Sequence, residues 1–228
     1  MPRKRVLTGA RIFDGARLLD DHALMIDQSG KTQILAPAAI PETCDVHRLD
    51  GGIITSGFVD LQVNGGGGVM LNAAPSLDTV ATIARAHRHL GTAAFLPTLI
   101  TDTRQHGIAA IKAVAQAIDQ NIPGVVGLHL EGPHLSVTRK GAHDGDLVRP
   151  MDDDDIALLL DTLQFIPNLF VTAAPENITC AQIETLSTAG VVVSIGHSDC
   201  DYDTAMRAFD AGARMATHLF NAMSQASA

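Results

Sequence analysis

From Gly51-Gly52 onward, short apolar runs alternate with amphipathic stretches of helical period, and this alternation limits the fold more than any other feature of the chain. Strand-like runs fall at 58–64, 93–98, 124–131, 168–173, 191–196 and 213–219. Helical stretches at 76–90, 103–119, 151–164, 178–188 and 201–211 separate them. Ser76 is placed to cap the first helix, and Pro150 with Asp152 to Asp155 opens the third, where acidic side chains complement the helix dipole. Repeated strand–helix units imply a parallel sheet with helices packed on it. The polar residues that look chemical all sit at strand C-terminal ends, where a (β/α)₈ barrel gathers its site. The fold class expected is therefore α/β, an incomplete (β/α)₈ TIM-like barrel with about six of eight strands over residues 56–228. An open doubly wound sheet is the runner-up, but no G-x-G-x-x-G fingerprint follows the first of these strands.

Residues 1–55 read differently, as strands and turns without helical periodicity. Residues 6–13 form a strand-like run before the Asp14-Gly15 turn signal, and shorter runs follow at 23–26, 33–35 and 46–49. A small β module, a partial β-sandwich, is expected ahead of the barrel. With 46% hydrophobic residues but only 4% aromatic and no Trp, the core must be aliphatic. A net charge of −9 argues against nucleic-acid and anionic-membrane partners. The three cysteines, Cys44, Cys180 and Cys200, form no paired spacing, which fits a reducing, cytoplasmic setting. The basic start at Arg3 to Arg5 leads into no long apolar run, so neither a signal peptide nor a membrane span is expected.

Four strand ends carry candidate chemistry. The first ends on Gln62 and Asn64, which the strand period puts on one face, and runs into Gly65 to Gly68. The third ends on His129-Leu130-Glu131, the fifth on Gly196-His197-Ser198, and the sixth on His218 to Asn221. Glu131, His197 and His218 could converge at one barrel mouth, and a carboxylate with two imidazoles suits a divalent ion. Zinc is the first candidate, with iron, cobalt, manganese and nickel also compatible. Cys200 opens the next helix and is set aside. His22, His47, His87, His89 and His106 read as surface or structural.

The motifs His129-Leu130-Glu131-Gly132-Pro133, Lys140-Gly141-Ala142-His143, Gly196-His197-Ser198 and His218-Leu219-Phe220-Asn221-Ala222-Met223 resemble, in order and spacing, those of the N-acetylglucosamine-6-phosphate deacetylases of the amidohydrolase superfamily. The resemblance implies that Glu131, His197 and His218 are metal ligands. It implies substrate contacts from Ala142, His143, Asn221 and Ala222. Gln62 and Asn64 stand where many amidohydrolases carry two histidines for a second metal, which implies a single ion. The implied reaction is hydrolysis of N-acetylglucosamine 6-phosphate to glucosamine 6-phosphate and acetate, a step of amino-sugar recycling, in a homo-oligomeric enzyme. The family's catalytic Asp has its place beyond Ala228, and so do its phosphate-binding Arg and His. The sequence thus reads as C-terminally truncated, its catalytic base unassigned and its activity impaired. Alternatives are an amidohydrolase for a different amide, or an inert polypeptide that at most binds metal.

Overall fold

The computed structural model describes residues 4–224, and the chain divides into two compact units between Gly57 and Phe58. The first unit is all-β. Its strands are β1 (Arg5–Thr8), β2 (Arg11–Phe13), β3 (Leu18–Leu19), β4 (Ala23–Ile26), β5 (Thr32–Leu35), β6 (Asp45–Arg48) and β7 (Ile53–Ile54). They form a four-stranded sheet, β5-β4-β1-β6, and a three-stranded one, β3-β2-β7. Val6, Ala23 and Met25 are its buried core, with Leu35, Ile40 and Cys44 packed on them.

The run at 6–13 is two strands in two sheets, not one. Gly9 breaks it with a φ of +83°, and a Cβ there would overlap the Leu49 carbonyl oxygen. Only glycine meets both demands cheaply. Gly9→Ala is expected to destabilise the chain by about 2 kcal/mol, read as a lower denaturant midpoint with an unchanged m-value.

The second unit contains β8 (Phe58–Val63), a hairpin of β9 (Gly65–Gly66) and β10 (Val69–Met70), β11 (Thr92–Ile100), β12 (Leu128–Glu131), β13 (Leu169–Ala173), β14 (Val192–Ile195) and β15 (Met215–Ala216). Its helices are α1 (Leu77–His89), α2 (Arg104–Asp119), α3 (Asp153–Thr162), α4 (Cys180–Ala189) and α5 (Tyr202–Asp210). Six strands pair in the order β8-β11-β12-β13-β14-β15, every pair parallel. The order never reverses, so there is no switch point of the kind a doubly wound sheet needs. This is the curled sheet of six consecutive barrel strands, as the alternation of strand and helix indicated. Pro97 lies within β11, and the register against β8 slips beside it, as expected where an N–H is missing from the ladder.

The helices begin where their caps dictate. Ser76, Thr103 and Asp201 each accept a hydrogen bond from the backbone N–H three residues on. Asp152 with Asp155, and Thr179 with Gln182, form reciprocal capping boxes. The helices and one strand face share an aliphatic core that includes Val80, Ile83, Val114, Leu128, Leu130, Val171, Ile183, Leu186 and Val193. Alternate strand residues face the other way, and that face is polar: Thr98, His129, Glu131, Thr172, Ser194 and Thr217 are all buried. An aliphatic layer on both faces is the usual pattern for parallel strands. Here the inner layer is buried but mixes apolar Leu96 and Phe170 with hydroxyls, imidazole and a carboxylate.

Strand ends depart from the sequence boundaries in several places, and the run at 124–131 is a strand only over Leu128–Glu131. The run at 213–219 is extended only over Met215–Ala216, because His218, Phe220 and Ala222 take left-handed backbone at φ of 55°, 66° and 46°. The run at 93–98 extends to Ile100, which delivers Thr101 to the C-terminal mouth of the sheet.

Candidate metal centre

Glu131 closes β12 facing inward and is 2% exposed. His197 follows β14 and His218 follows β15, so parallel pairing brings all three to the same end of the sheet. His197 Nε2 lies 3.1 Å and His218 Nε2 3.0 Å from Glu131 Oε1. Gln62, the penultimate residue of β8, donates to Glu131 Oε2 at 2.8 Å. His143 arrives from the loop after β12, with Nε2 3.8 Å from Oε2. Its ring packs edge-on against His197, which in turn packs edge-on against His218. The structure therefore gathers Gln62, Glu131, His143, His197 and His218 around one point.

The remaining candidates lie around this cluster. Asn64 enters through its main chain, its carbonyl accepting from Leu71 N–H at the base of the β9–β10 hairpin. Ala142 is exposed beside His143. Asn221 N–H donates to the His218 carbonyl, and the Ala222 carbonyl accepts from Ser198 N–H, which lays this loop along the residue after His197.

Burial works against charge on Glu131, but the hydrogen bond from His197 and the nearby His129, His143 and His197 outweigh it and hold the carboxyl at about 2. Burial, reinforced by His197, pushes His143 down to about 4. His197 goes the other way: burial opposes its charge, but the bonds to Glu131 and to the Arg139 carbonyl raise it.

Hydrogen bonding separates the histidines further. His197 Nδ1 lies 2.8 Å from the Arg139 carbonyl, which can only accept, so Nδ1 carries a proton. In the neutral ring Nε2 then offers a lone pair toward Glu131, the arrangement in which protein metal ligands are usually held. The Nε2 contact to the carboxylate needs an imidazolium, and a cation between the two atoms would replace that proton. His143 is the reverse case. Its Nδ1 faces the backbone N–H of Thr101 at 3.2 Å, which can only donate, and the Thr101 hydroxyl at 2.8 Å. Its open Nε2 therefore presents an N–H. By distance alone Glu131, His143 and His197 also qualify as a cation-binding group, their donor atoms lying within 4.8 Å of one another. The tautomers favour His218 over His143 as the second imidazole.

The donor set fits a divalent ion. Tetrahedral bonds of about 2.0–2.2 Å put neighbouring donors about 3.3–3.6 Å apart, a few tenths of an ångström beyond the 3.1 and 3.0 Å from Glu131 Oε1 to the two Nε2 atoms. The sequence reading missed Thr101, Arg139 and Glu176. Glu176 accepts from the Ser198 hydroxyl at 2.8 Å and from Asp199 N–H at 2.6 Å, fixing the turn after His197. The one signal for Thr101 was the apolar pair Leu99-Ile100, which prolongs its strand.

The chain is similar to known proteins along most of its length. The model of the NagA composite domain matches residues 6–54. The N-acetylgalactosamine-6-phosphate deacetylase of Shewanella sp. (strain ANA-3) is 45% identical over 178 residues, covering 78% of this chain and 45% of that protein. The N-acetylglucosamine-6-phosphate deacetylase of Haemophilus influenzae is 33% identical over 221 residues, 97% of this chain and 58% of that protein. A crystal structure of the N-acetylglucosamine-6-phosphate deacetylase from Pasteurella multocida superposes with a TM-score of 0.92 at 36% identity, covering 99% of this chain and 59% of that one. The chain spans about half the length of the curated relatives it matches.

Proposed function

We propose that this chain, similar over nearly its whole length to the N-acetylated amino-sugar 6-phosphate deacetylases, carries the metal-binding and amide-binding part of such a hydrolase site. The observation that supports this most is the meeting of His197 Nε2 and His218 Nε2 at one oxygen of the buried Glu131, with His197 Nδ1 fixed by a carbonyl. Glu131, His197 and His218 would hold one divalent ion, zinc first among the candidates. Such an ion, when bound, polarises an amide carbonyl and lowers the pKa of coordinated water. Gln62 holds Glu131 by Oε2 and leaves Oε1 for the ion. His143 directs its Nε2–H into the same space, where it donates to the acetamido oxygen or a sugar hydroxyl. Ala142, Asn221 and Ala222 border that space and contact the sugar phosphate. Glu131, held at about 2, is too weak a base to take the water proton at neutral pH. That role belongs to a group outside this cluster.

The substrate is N-acetylglucosamine 6-phosphate, hydrolysed to glucosamine 6-phosphate and acetate in cytoplasmic amino-sugar recycling. The 45% identity to an N-acetylgalactosamine-6-phosphate deacetylase supports the C4 epimer as the second reading. Titration with Zn²⁺ should show one equivalent bound, and the metal-loaded chain should bind one of the two sugar phosphates more tightly than the other. A His197→Asn, His218→Asn double variant should lose both. Equal metal content in the wild type and the double variant would sink the reading.

A further inference from the structure

Beneath the metal centre lies a row of buried polar side chains that the proposed reaction does not use. Ser194 Oγ lies 2.7 Å from Thr217 Oγ1, Thr217 Oγ1 2.7 Å from Thr172 Oγ1, and Thr172 Oγ1 2.8 Å from His129 Nε2. The His129 ring packs edge-on against Phe170. Its Nδ1 also lies 3.4 Å from the Thr98 hydroxyl, whose own proton goes to the Leu96 carbonyl while its oxygen accepts from Val63 N–H. Ser194, Thr172 and Thr98 are fully buried, His129 is 1% exposed and Thr217 8%. The row thus touches all six barrel strands.

Its hydrogens are ordered. An uncharged imidazole has one donor and one acceptor. The Thr98 proton is already given to Leu96, so Nδ1 must donate to Thr98 and Nε2 must accept, and Thr172 gives its proton to His129. Thr172 must then accept from Thr217, and Thr217 from Ser194. Each member has one role, and none can be removed without stranding the next in a dry interior, where an unmet polar group is costly.

The row also sits in register with the ligands. His129 is two residues before Glu131 on the same strand face, and Thr217 immediately precedes His218. We infer that the Ser194–Thr217–Thr172–His129 chain is a positioning element that fixes the heights of β12 and β15 and so the distance between Glu131 and His218. This rests on the metal reading above and adds residues to it.

The test uses the 228-residue chain and Co²⁺, whose visible absorption reports ligand geometry. Thr172→Val keeps the shape and removes both hydrogen bonds. It should weaken Co²⁺ binding about 10- to 100-fold, the range for groups that orient metal ligands, and alter the absorption bands. Thr172→Ser should restore both. Ser194→Ala, at the start of the chain, should shift affinity the same way by a smaller factor, and it serves if the valine variant fails to fold. If Thr172→Val lowers thermal stability but leaves Co²⁺ affinity and spectrum at wild-type values, the row is structural only and the inference is wrong. A wild-type chain that takes up no Co²⁺ overturns the metal reading and this inference with it.

Discussion

Replacing Glu131 with glutamine is expected to lower divalent-ion affinity by more than about 100-fold, beyond the range seen for groups that merely support a ligand. The swap keeps the size of the side chain but removes the charge on which His197, His218 and Gln62 converge. Calorimetric titration of the variant measures the loss. The metal-free chain should respond as well. Glu131 is depressed from 4.5 to about 2, so its contribution to stability is present above about pH 4.5 and disappears as pH falls toward 2. His197 is raised above 6.5, so its contribution is complete below 6.5 and is lost as pH climbs through its higher folded value. The pair therefore stabilises the metal-free fold most between pH 4.5 and 6.5. Glu131→Gln should flatten that maximum and let the His197 pKa fall back, which NMR titration would follow. A wild-type stability profile flat across that window would count against the pairing.

Asp155→Ala is expected to be the most destabilising single substitution away from the metal centre. Asp155 completes the α3 capping box and is hydrogen-bonded by Arg149 and Arg104, with His134 Nε2 3.6 Å away. Its side chain is 7% exposed, so alanine strands the Arg149 guanidinium and the Asp152 N–H of the capping box together, while Arg104 keeps the Asp152 carboxylate. Breaking a buried ion pair from one side costs about 3–5 kcal/mol. Because both arginines are about one-third exposed, about 3 kcal/mol is the better figure, or roughly 6–12 °C in melting temperature for a chain of this length. Burial opposes the charge on Asp155, but Arg149 and the cap bond from Asp152 hold its carboxyl well below 3.8. Its contribution is thus complete above pH 3.8 and is lost only in stronger acid. Asp155→Asn should remove that acid limb while keeping part of the cap, whereas Glu131→Gln leaves the limb in place.

The order of strands and helices was legible because parallel strands and amphipathic helices leave different periods in the sequence, and because Ser76, Thr103 and Asp152 mark helix starts. Strand ends were less so. Nothing local in Ala216-Thr217-His218 says that extended backbone stops at Ala216, since the left-handed turn at His218 is held by contacts from distant segments. In the site, Glu131, His197 and His218 could be singled out because each follows an apolar run that ends in a motif. Thr101 and Arg139 could not. Thr101 acts at His143 through its backbone N–H as well as its hydroxyl, and Arg139 acts at His197 through its carbonyl. Main-chain groups have no residue type to read. The polar interior was hidden for a related reason: a lone Thr or Ser within an apolar strand looks like any other, and only the register aligns Thr172, Ser194 and Thr217.

His197 and His218 both have left-handed backbone, at φ of 50° and 55°. Most side chains lose about 1 kcal/mol or more in that region, whereas asparagine and aspartate enter it readily. Alanine scanning at these positions would therefore confound two effects, removal of an imidazole and strain in the turn that presents it. Asparagine leaves the turn content and removes the ring. A drop in metal affinity in His197→Asn can then be assigned to the lost imidazole and its contacts to Glu131 and the Arg139 carbonyl, not to strain in the turn. The same backbone limits which replacements leave the turn unstrained: asparagine, aspartate and glycine enter it most easily.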